Sequence, residues 1–422
     1  MQAALDTVAA PGARHGSAWW LCQDADMNPP PTAANATSNP VMASESAPAS
    51  AIPTAALPLL FTLLGLVFAT WAGRIPAVRD LLHLSPGQLG FALLCAGIGG
   101  LASFPLAAWL VARHGQARAA LVGGLALVSA LPCIGWSARP LALMGALALL
   151  GAAASCFDVA INAIGAADEK RAGRSIMSML HAWFCVGTVL GALGSSAMAS
   201  LGVSPRWHFS VLAAALVLPL GWACRCLMTP APVRGSARPV PAFGLPPRPL
   251  LVLGVLGFCG AIAEGGIADW SGVFMQDRIG AAAGVAPLAY AGFSGAMLLL
   301  RLVADRFKDR FGARRVVGIG GMVAAIGIGL ALPGWNVGLT IAGFALAGAG
   351  LAGVFPFVFS AAGRHGPTAL AGVATISYTG GLVGPPFIGF IAEAAGLTLA
   401  LGTLAVLCMV MALAAFRAHS LE

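Results

Sequence analysis

From residue 53 onward, apolar stretches of about twenty residues alternate with short polar breaks, the length a helix needs to cross a bilayer core of about 30 Å. The stretches cover residues 55–75, 88–111, 118–137, 141–164, 177–200, 208–228, 250–273, 287–304, 315–334, 338–362, 370–392 and 396–416. The pattern therefore predicts an all-α membrane protein with twelve transmembrane helices. All the breaks are short except residues 229–249, TPAPVRGSARPVPAFGLPPRP, which are proline-rich and basic. That segment divides the spans into two six-helix halves, residues 53–228 and 250–416, and residues 417–422 follow as a short tail. Residues 1–52 are rich in Ala, Pro, Ser, Asn and Thr with no apolar period, and are expected to be a disordered cytoplasmic tail. Met42 opens a second reasonable start, so residues 1–41 are read either as part of that tail or as an over-called start.

Composition agrees with the pattern and excludes other classes. The chain is 59% apolar and only 9% charged, against roughly 25% charged in a soluble domain. Its 55 glycines suit helices whose backbones approach closely in lipid. The nine cysteines show no zinc or redox spacing, so no metal or cofactor site is expected. No Walker loop, no GxSxG and no metal-spaced histidine pair is present. These absences point away from an enzyme and from ATP-driven transport, leaving an ion or solute gradient as the source of energy.

The formal net charge of +8 reads as topology rather than as a nucleic-acid footprint. With both termini cytoplasmic, eighteen basic residues fall on the inside, Arg301 among them, and five fall outside: Arg74, Arg79, Arg139, Arg206 and Arg278. That asymmetry is the positive-inside bias. The two halves are also related internally. At a constant offset of 197, Arg113, Gly115 and Arg118 fall on Arg310, Gly312 and Arg315, Gly151 on Gly348, Ser178 on Thr375, His181 on Tyr378 and Gly187 on Gly384. Matches that all place span n on span n+6 imply duplicated six-helix halves, with a solute site expected near the midplane between them.

The loop after the eighth span reads LRLVADRFKDRFGARR. With Asp305, Asp309, Arg310, Gly312 and Arg314, it resembles the signature that major facilitator superfamily transporters carry after their second and eighth spans. The equivalent first-half loop, AAWLVARHGQAR, has Ala112 where the acid would stand. Three more segments, CFDVAINAIGAADEKRAGRSIMSMLHAWFCVGT, AEGGIADWSGVFM and ATISYTGGLVGPPFIGFIAE, look like uncharacterised bacterial inner-membrane permeases of the YbjJ-like kind, near the fucose-permease branch. The resemblance covers residues 53–416. It implies 3+3 inverted repeats in each half, alternating access, a conformational latch at the signature loop, and a bacterial inner-membrane location. In fucose-type proton symporters an acid in span 4 precedes an Asn by four residues, a spacing that Asp158 and Asn162 match.

Charges inside the spans are the remaining candidates for chemistry, because an ionised carboxylate at a helix centre costs about 2.5–3.5 kcal/mol on insertion scales. Asp158 lies ten residues before Asp168, about 15 Å or half the core thickness from the cytoplasmic headgroups. Asn162, one turn on, shares its face. His181 is expected at nearly the same depth, either beside the acid or bonded to a backbone carbonyl. Asp158 and His181 are therefore the proton-coupling candidates, and Asn162, Glu264 and Tyr378 the candidates for solute contact. Asp269 with Trp270 reads as an interface anchor and Arg74 as a snorkelling residue. Gly384, Pro385 and Pro386 would let span 11 bend as a gate. The expected activity is proton-coupled symport of a sugar-like or other small polar metabolite by a monomer. The alternatives are proton-coupled export of drugs or metabolites, on the same fold and acids, and a non-transporting sensor that has kept the carrier fold.

Overall fold

The protein, described here from a computed structural model, is resolved into defined structure over residues 55–172, 176–228 and 246–422. The tail expected over residues 1–52 and most of the 229–249 linker lie outside these described residues. The elements, in chain order, are α1 (Ala56–Ala72), α2 (Ile75–Leu81), α3 (Pro86–His114), α4 (Gln116–Gly135), α5 (Pro140–Ala172), α6 (Met177–Ser200) and α7 (Pro205–Leu227). The second half follows as α8 (Leu251–Asp277), α9 (Leu288–Arg301), α10 (Ala304–Phe311), α11 (Ala313–Ala331), α12 (Val337–Leu351), α13 (Val354–Arg364), α14 (Pro367–Ala395) and α15 (Leu397–Arg417). No strand occurs among the described residues.

Nine helical segments are long and apolar enough to span a membrane, α12 and α13 together forming one of them, and the bent pairs α1–α2 and α9–α10 bring the number to eleven. α14 has 29 residues but carries Thr, Ser, Tyr and two prolines in its middle, which dilute its apolar character. With α14 included, the helices are consistent with the twelve expected spans. Leu141, Leu218, Leu299, Ile326 and Val406 stand 61–80% exposed. A soluble protein would bury such residues, whereas lipid solvates them.

Local sequence sets where the helices begin. Ser85 and Gln88 form a reciprocal capping box at the start of α3, with Pro86 as the first helical residue. Asn336 accepts the Leu339 N–H at the start of α12. Gly115 and Gly312 hold φ of +81° and +80°, in a region open essentially to glycine alone, and each turns one span directly into the next.

The 197-residue offset recurs in the packing. A Cβ at Gly151 would overlap the carbonyl of Ala96, and one at Gly348 would overlap that of Phe293. Phe293 is itself 197 residues after Ala96, so α5 meets α3 as α12 meets α9. The main partners repeat likewise: α1 with α6 and α8 with α14, α4 with α7 and α11 with α15.

The two halves pack mainly through α3 against α14 and α6 against α9, with smaller contacts from α1 and α2 to α8. Three polar links cross near the face opposite the chain ends, the distal face. Arg79 donates to both carboxylate oxygens of Asp277 at 2.5 and 2.8 Å. The Gly87 N–H donates to Glu393 at 3.0 Å, and the Ser196 hydroxyl to the Gly284 carbonyl at 2.5 Å. At the proximal face, where α10 and the ends of α5 and α15 lie, no hydrogen bond or ion pair joins the halves among the described residues.

Candidate functional site

Two polar groups occupy the seam between the halves at different depths. The one nearer the proximal face is built on α5 and α14. Asn162, one helical turn after Asp158, donates its amide both to the Asp158 backbone carbonyl and to Oδ1, each at 2.9 Å. Asp158 has no other hydrogen-bond partner among the described residues. Tyr378 on α14 lies within electrostatic reach of Asp158, is 54% exposed, and sets its ring edge-on to Phe359 at 6.2 Å. An acid and amide from one half thus face a phenol from the other.

The second group is built on α6, α8 and α9. Arg301 is the last residue of α9, where the chain bends by 55° into α10. Its Nη1 donates to Cys185 Sγ of α6 at 3.0 Å and its Nε to the Ala352 carbonyl at 3.4 Å. Glu264 Oε2 of α8 stands 4.0 Å from Nη2, an ion pair beyond hydrogen-bond reach, and has no hydrogen-bond partner among the described residues. Tyr290, 5% exposed, is within electrostatic reach of Glu264, Cys185 and Asp269. It stacks on Phe293 at 6.0 Å and meets Phe68 of the other half edge-on at 6.4 Å. At 1.5 Å per residue from the distal ends of their helices, Glu264 and Arg301 lie about 20 Å deep and Asp158 and Tyr378 about 26 Å. The seam therefore carries one acidic group stacked above one charge-compensated group.

These observations, a duplicated helical bundle with polar groups on the seam between its halves, frame the comparison with known proteins. Residues 59–375 match the family model described as Major Facilitator Superfamily. The chain belongs to the Major Facilitator Superfamily. A superfamily relative described as an uncharacterised MFS-type transporter of Yersinia pestis is 36% identical over 85% of this chain and 93% of its own length. An uncharacterised transporter of Sinorhizobium fredii is 35% identical over 80% and 91%. A membrane protein, MosC, of Rhizobium meliloti is 30% identical over 84% and 87%. Among solved structures, the nucleoside transporter NupG superposes with a TM-score of 0.67 at 16% identity, covering 86% of this chain and 98% of that one. A bacterial homologue of the human lysosomal transporter Spinster, in an inward-facing and occupied conformation, gives 0.68 at 16%, covering 86% and 95%. At these identities the structural matches establish the fold. Family and relatives together make the protein a multi-pass membrane transporter of the superfamily, a family whose members carry small molecules, commonly coupled to ions.

Within the superfamily fold, several expected residues sit differently from their sequence reading. His181 is exposed and sets its ring edge-on to Phe61 at 5.5 Å. It lies in electrostatic reach of Arg301, and no hydrogen bond joins it to Asp158. Trp270 is fully buried, so it is a core residue of α8 rather than an anchor at the lipid boundary. Arg74 is 4% exposed and donates to the Val203 carbonyl, which ties span 1 to the α6–α7 turn instead of snorkelling. Glu264 and Asp269 point about 140° apart on an ideal helix, yet Tyr290 is within reach of both. In the signature loop, Asp305 and Asp309 are exposed and have no ion pair among the described residues, and Gly312 separates α10 from α11. Arg314 binds the Phe416 carbonyl at 2.5 Å and Glu422 at 3.6 Å. Arg310 lies over its neighbour Phe311 at 5.3 Å. Gly384, Pro385 and Pro386 lie within an unbroken α14, and the Pro385–Pro386 backbone is what a Cβ on Gly90 of α3 would touch.

Arg301 is the residue the sequence reading misplaced, by assigning it to the positive inside. Without it, the expected topology still counts seventeen basic residues inside against five outside. The available signal was its position between Leu300 and Leu302 in LLLRLVAD, a charge within an apolar run.

Proposed function

We propose that this transporter is a proton-coupled symporter of a small polar metabolite, with Asp158 as the proton site, Asn162 and Tyr378 as solute contacts, and His181 and Glu264 beside them on the seam. The observation that carries the reading is Asp158 itself. It is a carboxylate within a membrane span, hydrogen-bonded only by Asn162 among the described residues, and facing Tyr378 across the boundary between the halves. A buried charge of this kind opposes reorientation, and moving one elementary charge through 100 mV is worth about 2.3 kcal/mol. Protonation removes that charge, so proton and solute binding together release the carrier to move.

The contact pattern supports alternating access. Polar links between the halves cluster at the distal face, with Arg301–Cys185 deeper in the seam, while among the described residues the signature acids Asp305 and Asp309 stand without an ion pair at the proximal face. In this reading Asp305, Asp309, Arg310, Gly312 and Arg314 form a latch that engages in the opposite state, and α14 bends near Gly384, Pro385 and Pro386 as α3 slides on it. In this reading, which the basic bias supports, the proximal face and both chain ends lie in the cytoplasm of a bacterium and the protein works as a monomer.

The test is proton flux in proteoliposomes holding an internal pH dye and challenged externally with sugars, polyols, nucleosides and small organic acids. Solute-driven proton entry supports symport, and solute-driven proton exit would establish antiport instead. Asp158→Asn is expected to abolish the proton signal. A full signal in that variant would remove Asp158 from the coupling.

A further inference from the structure

Resting on the transport reading above but not on the role of Asp158, we infer that Arg301 is the recognition group for a small organic carboxylate, with Glu264 holding its place in the empty carrier. A guanidinium presents five N–H donors in a planar fork that matches a carboxylate in two-point fashion. Arg301 spends these on weak partners: a thiol at 3.0 Å, a backbone carbonyl at 3.4 Å, and a glutamate oxygen at 4.0 Å that makes no hydrogen bond. Glu264 Oε2 is buried without a donor among the described residues. Neither partner of this partly buried pair is saturated among the described residues, and a rigid structural pair would be expected to close that gap. Arg74, by contrast, is 4% exposed and binds the α6–α7 turn of its own half.

Position adds to the case. Arg301 ends α9 at the broken point of its span, the kind of discontinuity from which transporters build midplane sites. It reaches across the seam to Cys185 of the other half, so a ligand on it would touch both halves. Tyr290, Phe293 and Phe68 form an aromatic wall in the same region, suited to the organic part of a small acid.

Charge balance gives the arrangement its coupling. The empty site holds one cation and one anion. A substrate carboxylate that takes the Arg301 fork leaves Glu264 without a partner, and a second negative charge in the span is removed when Glu264 accepts a proton from water. The loaded site is then neutral again, whereas the carboxylate without the proton leaves a net charge inside the membrane. The titratable groups in reach of Glu264 are Arg301 and Tyr290 on α9 and Cys185 on α6. His181 on α6 is reached through Arg301, and Asp269 on α8 through Tyr290. The Tyr378 phenol on α14 faces Asp158 instead. Carboxylate binding should therefore weaken as pH rises.

The experiment measures binding to the purified full-length protein by thermal shift, with no gradient, using lactate, nicotinate and gluconate against lactamide, nicotinamide and glucose, with chloride and phosphate as further arms. The expected result is stabilisation by at least one carboxylate and not by its neutral partner or the inorganic anions. That response should weaken about thirtyfold or more in Arg301→Gln, recover in part in Arg301→Lys, and lose its pH dependence in Glu264→Gln. Because Arg301→Gln strands Glu264, the doubly neutral Glu264→Gln/Arg301→Gln variant serves as the folded control and should also lose the response. Stabilisation by the neutral partners, by chloride or by phosphate, a response that survives in the double variant, or no response to any carboxylate would overturn the assignment. A failure of proton coupling in vesicles leaves this binding result standing, and the loss of Arg301 dependence leaves the transport reading standing.

Discussion

Replacing Asp277 by Asn tests whether the distal links hold the conformation described. The Arg79 guanidinium grips both oxygens of Asp277 at 2.5 and 2.8 Å, and the two side chains are 12% and 45% exposed. Two unit charges about 4 Å apart attract by about 4 kcal/mol at an effective dielectric constant of 20. Solvent at the half-exposed carboxylate and the cost of ordering both side chains reduce this to about 1–1.5 kcal/mol. Arg79 keeps its second partner, Asp80, at 2.7 and 2.9 Å, so the substitution strands no buried cation and the loss is limited to the cross-half pair. At 1.4 kcal/mol per factor of ten, the distally open population should rise roughly tenfold. Fluorophores placed through a bio-orthogonal residue at Leu201 and Ala282, both exposed and on opposite halves at this face, would report that rise as a longer distance while sparing the native cysteines. Salt should produce the same change in the parent protein and little further change in the variant. An unchanged distance distribution in both Asp277→Asn and Arg79→Gln would refute the assignment of these residues as a clasp.

Other outcomes follow from the same geometry. Ala at Gly115 or Gly312 should cost about 1–3 kcal/mol for the positive φ alone, equally at both sites since neither meets a neighbour within 4 Å, as read by thermal unfolding in detergent. Ala at Gly151 or Gly348 should lower thermal stability further than Ala at Gly194 or Gly329, where a Cβ meets nothing, because a helix backbone must move to admit it. Tyr378→Phe keeps the ring contact with Phe359 and removes the hydroxyl, so KM should rise by up to about tenfold, the loss of one hydrogen bond, with no change in melting temperature.

The span pattern was legible because a bilayer imposes one length and one polarity on every helix, and the repeat was legible because glycine contacts between backbones tolerate no substitute. The site was legible only in part. Asp158 and Asn162 could be paired from their spacing, since a helix brings residues four apart onto one face. Arg301 could not be placed, because whether an arginine near a span end faces the headgroups or the seam depends on a bend that apolar counting does not see. His181 and Asp158 stand at similar depth, but depth along a span says nothing about rotation, and the imidazole turns to Phe61 instead. Trp270 and Arg74 were read by the preferences of exposed residues at a membrane boundary, whereas both are buried against protein.

The distal and proximal faces should oppose each other in a single measurement. Rocking one half against the other breaks the Arg79, Glu393 and Ser196 links, and unless contacts form elsewhere the distally open state would lie several times the cost of one link above the observed one. Asp309, at the end of α10 beside Arg310 and Gly312 and without an ion pair among the described residues, is a group available to recover that cost by pairing across the proximal seam. Asp309→Asn should therefore disfavour the distally open state, the reverse of Asp277→Asn. In the parent protein the effect would be hard to see, because the distal face is already closed. In the Asp277→Asn background it should reverse part of the lengthening between labels at Leu201 and Ala282, by an amount near that of one exposed ion pair, about 0.2–1 kcal/mol. If Asp309→Asn left that distance unchanged or lengthened it further, Asp309 would not be a latch residue, and the signature loop would serve membrane topology alone.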